Sequence, residues 1–289
     1  MGKDLENKSV SIIIPVYNQY ESLMKVLKSL SNQSIPKWKY QTIIVDDGSN
    51  DQLSKETSHS MSNKYEIDII LYHQINKGRA AARNTGIRLS ENDILIFCDA
   101  DRVPCEDYIY YHLLSHDVHN CVVVGKQYDI FAKSMDTLFS EEIMWDKIKR
   151  FSREPNYYSR ITKIYEHNNQ VPNHLLWMSF LVGNSSISKK LIIETGCFDE
   201  EFIDWGFEHF ELGLRLQKQG AIFKHSDKAS NYHIPHSRSS SFYFNMIEQS
   251  AKILSRKHPE VDIEIMKKIL FENVNVCEFA SLIFKPIKD

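Results

Sequence analysis

Between residues 9 and 125 short, nearly continuous apolar runs alternate with stretches whose apolar residues recur at helical spacing. Val10-Ser11-Ile12-Ile13-Ile14 is followed by Leu23, Val26, Leu27 and Leu30, then by Gln41-Thr42-Ile43-Ile44-Val45 and Ile67-Asp68-Ile69-Ile70-Leu71. A helical pattern over about 78–90 precedes Ile94-Leu95-Ile96-Phe97-Cys98, a helix beginning near Pro104, and Val122-Val123-Val124. A strand that is apolar on both faces must be covered on both. The pattern therefore predicts an α/β fold, with a mostly parallel, Rossmann-like central sheet flanked by helices. In such sheets ligands bind outside the carboxyl ends of the strands, so the residues just after each strand carry the interest.

Beyond residue 125 the pattern weakens. Residues 126–178 are richer in Tyr, Asn, Lys and Arg and read as a partly loop-like insertion with one helix around Thr137–Arg150. Pattern returns at Phe180–Ile187, in a helix from Lys189, and in a helix over Phe207–Gln219 stopped by Gly220. Two amphipathic helices are expected over about 241–257 and 260–275. The expected organisation is one domain over 1–236, in two halves at 9–125 and 126–236, with a helical extension over 237–289.

Charge and cysteine content exclude several classes. With 35 basic against 38 acidic residues the chain has no global field to draw nucleic acid. Five cysteines without a C-x-x-C pair argue against a disulfide framework or a zinc knuckle. The N-terminus has no signal-like apolar region, and no run reaches the ~18–20 apolar residues that span a bilayer. A soluble cytoplasmic protein is expected. The tail Phe279–Lys288 mixes apolar and basic residues and reads as a homodimer or core contact, with a peripheral contact at the inner membrane face as the other reading.

Four strand ends carry polar groups: Pro15-Val16-Tyr17-Asn18, Asp46-Asp47-Gly48-Ser49, Asn76-Lys77-Gly78-Arg79 and Asp99-Ala100-Asp101. Each alone is ordinary turn chemistry. Together, on one edge of a parallel sheet and with two carboxylate pairs, they suggest a site for a nucleotide diphosphate with a hard cation, Mn²⁺ or Mg²⁺. In an extended segment Asp99 and Asp101 point the same way, and Ala100 between them leaves room for a ligand. Asp46 and Asp47 suit a base or ribose; Lys77, Arg79 and Arg83 suit phosphate.

These motifs, Ser11-Ile-Ile-Ile-Pro-Val-Tyr-Asn18, Val45-Asp-Asp-Gly-Ser49, Asn76-Lys-Gly-Arg-Ala-Ala-Ala-Arg-Asn-Thr-Gly86 and Cys98-Asp-Ala-Asp101, resemble the family 2 glycosyltransferases of the GT-A fold. Gly183-Asn-Ser-Ser-Ile187, Gly196-Cys-Phe-Asp-Glu200 and Trp205-Gly-Phe-Glu-His209 extend the likeness to about residue 236. That second block is similar to the galactosyltransferase-like half of chondroitin polymerases and animal galactosaminyltransferases. The resemblance implies that Pro15, Tyr17, Asn18 and Asp47 surround a nucleobase, with Asp47 suiting uracil or another base with a ring N–H, and that Gly78–Arg83 closes over base and diphosphate. It implies Asp99 near ribose and metal, Asp101 as a direct metal ligand, and a further ligand from His233 or His236, with His233 the closer match to the motif. Asn184, Trp205 and Glu208 are implied at the acceptor.

The chain departs from the family pattern at the base. Relatives read Glu-Asp after Trp-Gly-x, whereas here His209 follows Glu208. Retention of the motif acid favours Glu208 as catalytic base. Position favours His209, because an imidazole near its ordinary pKa of about 6.5 suits proton abstraction near neutral pH. Trp205 and Trp177 could stack on sugar faces, although most Trp residues belong to the core or its rim.

The function implied is an inverting, metal-dependent transfer of a sugar, a hexose or N-acetylhexosamine, from a UDP-sugar to a hydroxyl on a glycan or envelope precursor. Two other classes compete. A sugar-phosphate nucleotidyltransferase is expected to carry a Gly-rich loop where this chain has Pro15-Val-Tyr-Asn18. A non-catalytic nucleotide- or glycan-binding module is expected to lose the acids Asp99, Asp101 and Glu208, which are all present.

Overall fold

The structure is a computed structural model that describes residues 5, 8–132, 134–140, 142–166, 173–203, 206–235, 240–272 and 282–284. Its strands are β1 (Val10–Val16), β2 (Tyr40–Asp46), β3 (Asp68–His73), β4 (Ile94–Cys98), β5 (Arg102–Pro104), β6 (Cys121–Ile130), β7 (Ser152–Arg153), β8 (Asn184–Ser188) and β9 (Ile222–His233). The first helices are α1 (Tyr20–Leu30), α2 (Ser58–Tyr65), α3 (Arg79–Leu89), α4 (Tyr108–Ser115), α5 (Met135–Leu138) and α6 (Trp145–Arg150). They are followed by α7 (Asn156–Glu166), α8 (Lys189–Glu194), α9 (Glu208–Lys218), α10 (Ser240–Lys257) and α11 (Ile263–Phe271).

One sheet holds the strands in the order β3-β2-β1-β4-β8-β6-β9-β5, with β7 on β6. Strands β1 to β4 are parallel to one another, so their carboxyl ends share one edge as expected. Every residue of β1, β2 and β4 is buried, which is why these runs lack alternation. β3 lies at the sheet edge and is partly exposed, so Asp68, Tyr72 and His73 are tolerated there. Beyond β4 the pairing becomes mixed: β8 is antiparallel to both β4 and β6, and β6 is parallel to β9.

The halves expected at 9–125 and 126–236 meet inside β6, within this continuous sheet. The helix expected around Thr137–Arg150 is instead two short helices, α5 and α6, whose Leu138 and Ile148 pin the segment to the sheet. The C-terminal helices are more than an appendage. Leu254 of α10 and Met266 and Ile269 of α11 belong to the same apolar cluster as Phe97 of β4 and Leu212 of α9. Of the expected tail contact, only 282–284 is described, and it docks inward: Ile283 is buried and its carbonyl accepts from Asp262 N at 2.6 Å. No helix among the described residues is long and apolar enough to cross a membrane.

A buried polar chain crosses from α4 to β8 and β6. His112 bonds Asn184 Oδ1 through Nε2 at 2.9 Å and Ser186 Oγ through Nδ1 at 2.8 Å. His116 Nε2 reaches the same hydroxyl at 2.8 Å, and Cys121 Sγ lies 3.2 Å from His116 Nδ1. Burial pushes the His112 imidazole down to about 4. Burial, with His112 and nearby lysines adding to it, pushes His116 down to about 3.

An unfolded histidine titrates near 6.5, so below that pH the unfolded chain takes up protons that the folded one refuses, and stability falls as pH falls. The effect of His112 alone is on the order of 3 kcal/mol across the whole window. The melting temperature is expected to drop by roughly 5 °C or more from pH 7 to pH 5. His112→Gln should flatten that dependence; an unchanged slope in the variant would show that the ring is not buried neutral.

Candidate active site

The ends of β1, β2 and β4 converge on a cleft of about 800 Å³, with Tyr17, Asp47, Arg79, Asp99 and Asp101 on its wall. The loops after β1 and β2 brace each other. Asn18 N donates to Ser49 Oγ at 2.8 Å, and Asn50 N donates to Asn18 Oδ1 at 2.9 Å. Asn18 thus shapes the rim, and its left-handed backbone turns the chain into α1. Tyr17 is left 49% exposed, with Pro15 below it on the same wall.

The adjacent carboxylates of Asp46 and Asp47 have separate tasks. Asp46 closes β2 and turns inward, where Oδ1 accepts from Ser49 N at 2.9 Å and Oδ2 meets His73 Nδ1 at 2.8 Å. Its expected contact with a base or ribose gives way to this internal role. Asp47 is at the cleft and holds the next loop. Its Oδ1 accepts from Gln74 Nε2 at 2.8 Å and Lys77 N at 2.9 Å, and its Oδ2 accepts from Gly78 N at 2.9 Å. Gly78 has φ +89°, and a Cβ there would sit 2.6 Å from Ile203 O, so the loop can close against 203 only with glycine. The Lys77 side chain is exposed at the lip, whereas Arg79 lines the cleft.

After β4 the chain does not stay extended. Arg102 N donates to Asp99 O at 3.1 Å, so 99–102 form a turn that feeds β5, with buried Ala100 inside it. Both carboxylates still reach the cleft wall. Asp101 Oδ2 accepts from Gln19 Nε2 at 2.8 Å and lies 3.7 Å from His233 Nε2. The other ring nitrogen of His233 is 3.0 Å from Asp129 Oδ1. A carboxylate can only accept, so Nδ1 donates to Asp129 and Nε2 is the ring nitrogen that faces Asp101.

With the imidazole neutral, its Nε2 and the Asp101 carboxylate are donor atoms of the kind a divalent cation takes. Among the described residues no three His, Cys, Asp or Glu side chains gather around a metal position. The donor set of Asp101 and His233, with Asp99 elsewhere on the cleft wall, fits a hard cation that takes its remaining ligands from a substrate.

Arg83 is 1% exposed and does not point at the cleft. Its Nη2 donates to Asp99 Oδ1 at 3.0 Å and its Nη1 to Glu208 Oε1 at 2.9 Å, so the expected phosphate contact is replaced by a bridge between the two halves. Glu208 opens α9 and is 3% exposed. Burial alone would raise its carboxyl, but His209 and the guanidiniums of Arg83 and Arg79 outweigh burial and hold it well below the usual carboxylate range. His209 Nδ1 lies 3.6 Å from Glu208 Oε2, too far for a hydrogen bond, and both atoms are buried without a hydrogen-bond partner among the described residues.

Asn184, expected at the acceptor, is 0% exposed and fully engaged in the fold. Trp177 is a core residue packed on Phe210, out of reach of any sugar. Trp205 and His236 lie outside the described residues. Sequence reasoning missed Gln19, Gln74 and Asp129, isolated polar residues without motif or periodicity; Ile203 and Met246, which also line the cleft, are ordinary apolar residues in the sequence.

Removing the bridge would strand a buried charge. Arg83→Met is expected to destabilise the protein by about 3–5 kcal/mol in urea unfolding, and adding Glu208→Gln should recover much of the loss. A single variant as stable as the parent would contradict the bridge.

Residues 11–177 match the sequence model of glycosyl transferase family 2. The uncharacterized glycosyltransferase YfnE of Bacillus subtilis (strain 168) is 28% identical over 247 residues, covering 74% of this chain and 62% of its own length. The chain therefore spans less than two thirds of that relative. Among solved structures, S. aureus TarS 1–349 in complex with UDP superposes with a TM-score of 0.58 at 16% identity, covering 93% of this chain and 71% of that one. GalNAc-T7 with UDP, GalNAc and Mn²⁺ gives 0.57 at 17% identity, covering 91% and 54%. At those identities the likeness establishes the GT-A fold alone. The matched segment holds more than half of the chain, including every strand-end motif on the cleft wall, and the protein belongs to glycosyl transferase family 2.

Proposed function

We propose that the cleft transfers a hexose or N-acetylhexosamine from a UDP-sugar to a hydroxyl of a glycan or envelope precursor, with inversion at the anomeric carbon. The observation that carries this reading is the convergence of Tyr17, Asp47, Arg79, Asp99 and Asp101 on one cleft in a family 2 chain. Half-exposed Tyr17, with buried Pro15 on the same wall, offers a face for the base. Asp47 Oδ2 accepts one backbone amide and retains a lone pair for a ring N–H of uracil. Arg79 faces the diphosphate. The UDP held by both solved neighbours supports the choice of nucleotide.

A divalent cation, Mn²⁺ or Mg²⁺, would be held by Asp101 and His233 with Asp99 beside them, and when bound it supplies positive charge to the departing diphosphate. The acceptor oxygen attacks the anomeric carbon as the bond to the diphosphate breaks, and its proton passes to the enzyme. Glu208 is ionised, buried and already paired with Arg83, which makes it a weak base. His209 takes the proton at Nε2, the ring nitrogen away from Glu208, and Glu208 stabilises the imidazolium through Nδ1. The pair thereby divides the work for which Glu208 and His209 stood as rivals.

His209→Ala is expected to slow UDP release from the preferred donor by about 10²–10⁴-fold with unchanged UDP affinity; a near-normal rate would remove His209 as base. Asp101→Asn should abolish the extra thermal stabilisation that Mn²⁺ gives to the UDP complex. Equal stabilisation of parent and variant would exclude Asp101 as ligand. Absence of donor turnover in the parent across a panel of UDP-sugars with Mn²⁺ would favour a binding module.

A further inference from the structure

Strand β9 reaches the cleft through a break in its pairing. It runs beside β6 from Cys121↔Ile222 to Gly125↔Ser226 and resumes at Lys126↔Ser230, leaving Asp227, Lys228 and Ala229 outside the ladder. Side chains alternate along a strand, so the number of residues left out decides which of Tyr232 and His233 faces Asp101. The observed register pairs His233 with Asp129 of β6 and with Arg102 of β5.

Asn184 clamps the break from both sides. Its Nδ2 donates to Lys126 O at 2.8 Å and to Ala229 O at 2.9 Å, one carbonyl from each strand. The fit is close enough to require Gly125, where a Cβ would meet Ala229 O and Asn184 Oδ1 at 2.3 Å each. Because both amide hydrogens are used, Oδ1 must accept, and that fixes every proton behind it. His112 donates from Nε2 and accepts at Nδ1 from the Ser186 hydroxyl; Ser186 accepts from His116 Nε2, and His116 Nδ1 accepts from the Cys121 thiol. The chain has one direction and ends on the clamp.

The geometry points to Asn184 as a positioning residue for His233: backed by His112, Ser186, His116 and Cys121, it locks the β6–β9 break in the register that sets His233 between Asp129 and Asp101. Only the metal arm of its test rests on the reading of His233 as a metal ligand.

Asn184→Asp keeps the shape and removes both donors. Imidazole ¹⁵N spectra, with His233 assigned by His233→Ala, are expected to lose the Nδ1–H···Asp129 signature in Asn184→Asp while circular dichroism stays native. Mn²⁺ affinity in the presence of UDP, read by electron paramagnetic resonance, should weaken about tenfold or more, as for other groups that orient a metal ligand. In a His233→Ala background Asn184→Asp should weaken it no further. Cys121→Ser, which keeps the terminal donor, should leave both readouts unchanged.

A folded Asn184→Asp with native His233 shifts, or an equal loss of affinity without His233, overturns the inference. If Asn184→Asp does not fold, His112→Gln serves, with a smaller shift of the same His233 signal expected and an unchanged signal contradicting it. If the parent binds no Mn²⁺, the metal reading fails, and the ¹⁵N signature alone still decides whether Asn184 positions His233.

Discussion

A single guanidinium, that of Arg83, ties the two sides of the site together. Burying that charge is unfavourable unless it is paired, and here two carboxylates take its terminal nitrogens, Asp99 from the turn after β4 and Glu208 from the start of α9, while Nε has no partner among the described residues. The planar fork of arginine holds both at defined angles, which a flexible lysine ammonium would not. Asp99 is thereby fixed relative to Glu208 and its neighbour His209. The same bridge keeps Glu208 ionised and so shapes the chemistry available to His209.

The bridge depends on the sheet changing character beyond β4. Parallel strands alone would bring only the first half's loops to the cleft. Antiparallel β8, set between β4 and β6, lets β9 run beside β5, and it is this arrangement that carries His233 to Asp101. The clamp at Asn184 belongs to the same logic, since a strand that must deliver one side chain needs its register held.

The parallel half was legible in the sequence because β1, β2 and β4 are covered on both faces and read as unbroken apolar runs. The cleft was legible from the strand ends for the same reason. What was not legible depended on tertiary direction. Asp46 and Asp47 are chemically identical neighbours, and only the fold sends one inward to His73 and the other to the Gln74–Gly78 loop. Asp99 and Asp101 read as extended, yet the chain must turn there to reach β5. Arg83 looked like a phosphate ligand because nothing local in the sequence reveals a partner such as Glu208, 125 residues away. Asn184 read as an acceptor-binding group, whereas its amide is consumed by a break in pairing that no periodicity announces.

In the proposed function the cleft between Tyr17 and Asp101 holds UDP together with a divalent cation. Anomalous diffraction from crystals grown with UDP and Mn²⁺ tests it most directly. The expected result is a manganese peak within coordinating distance of Asp101 and His233, with the uracil ring against Tyr17 and Asp47. UDP bound without that peak, or a peak remote from Asp101, would contradict it.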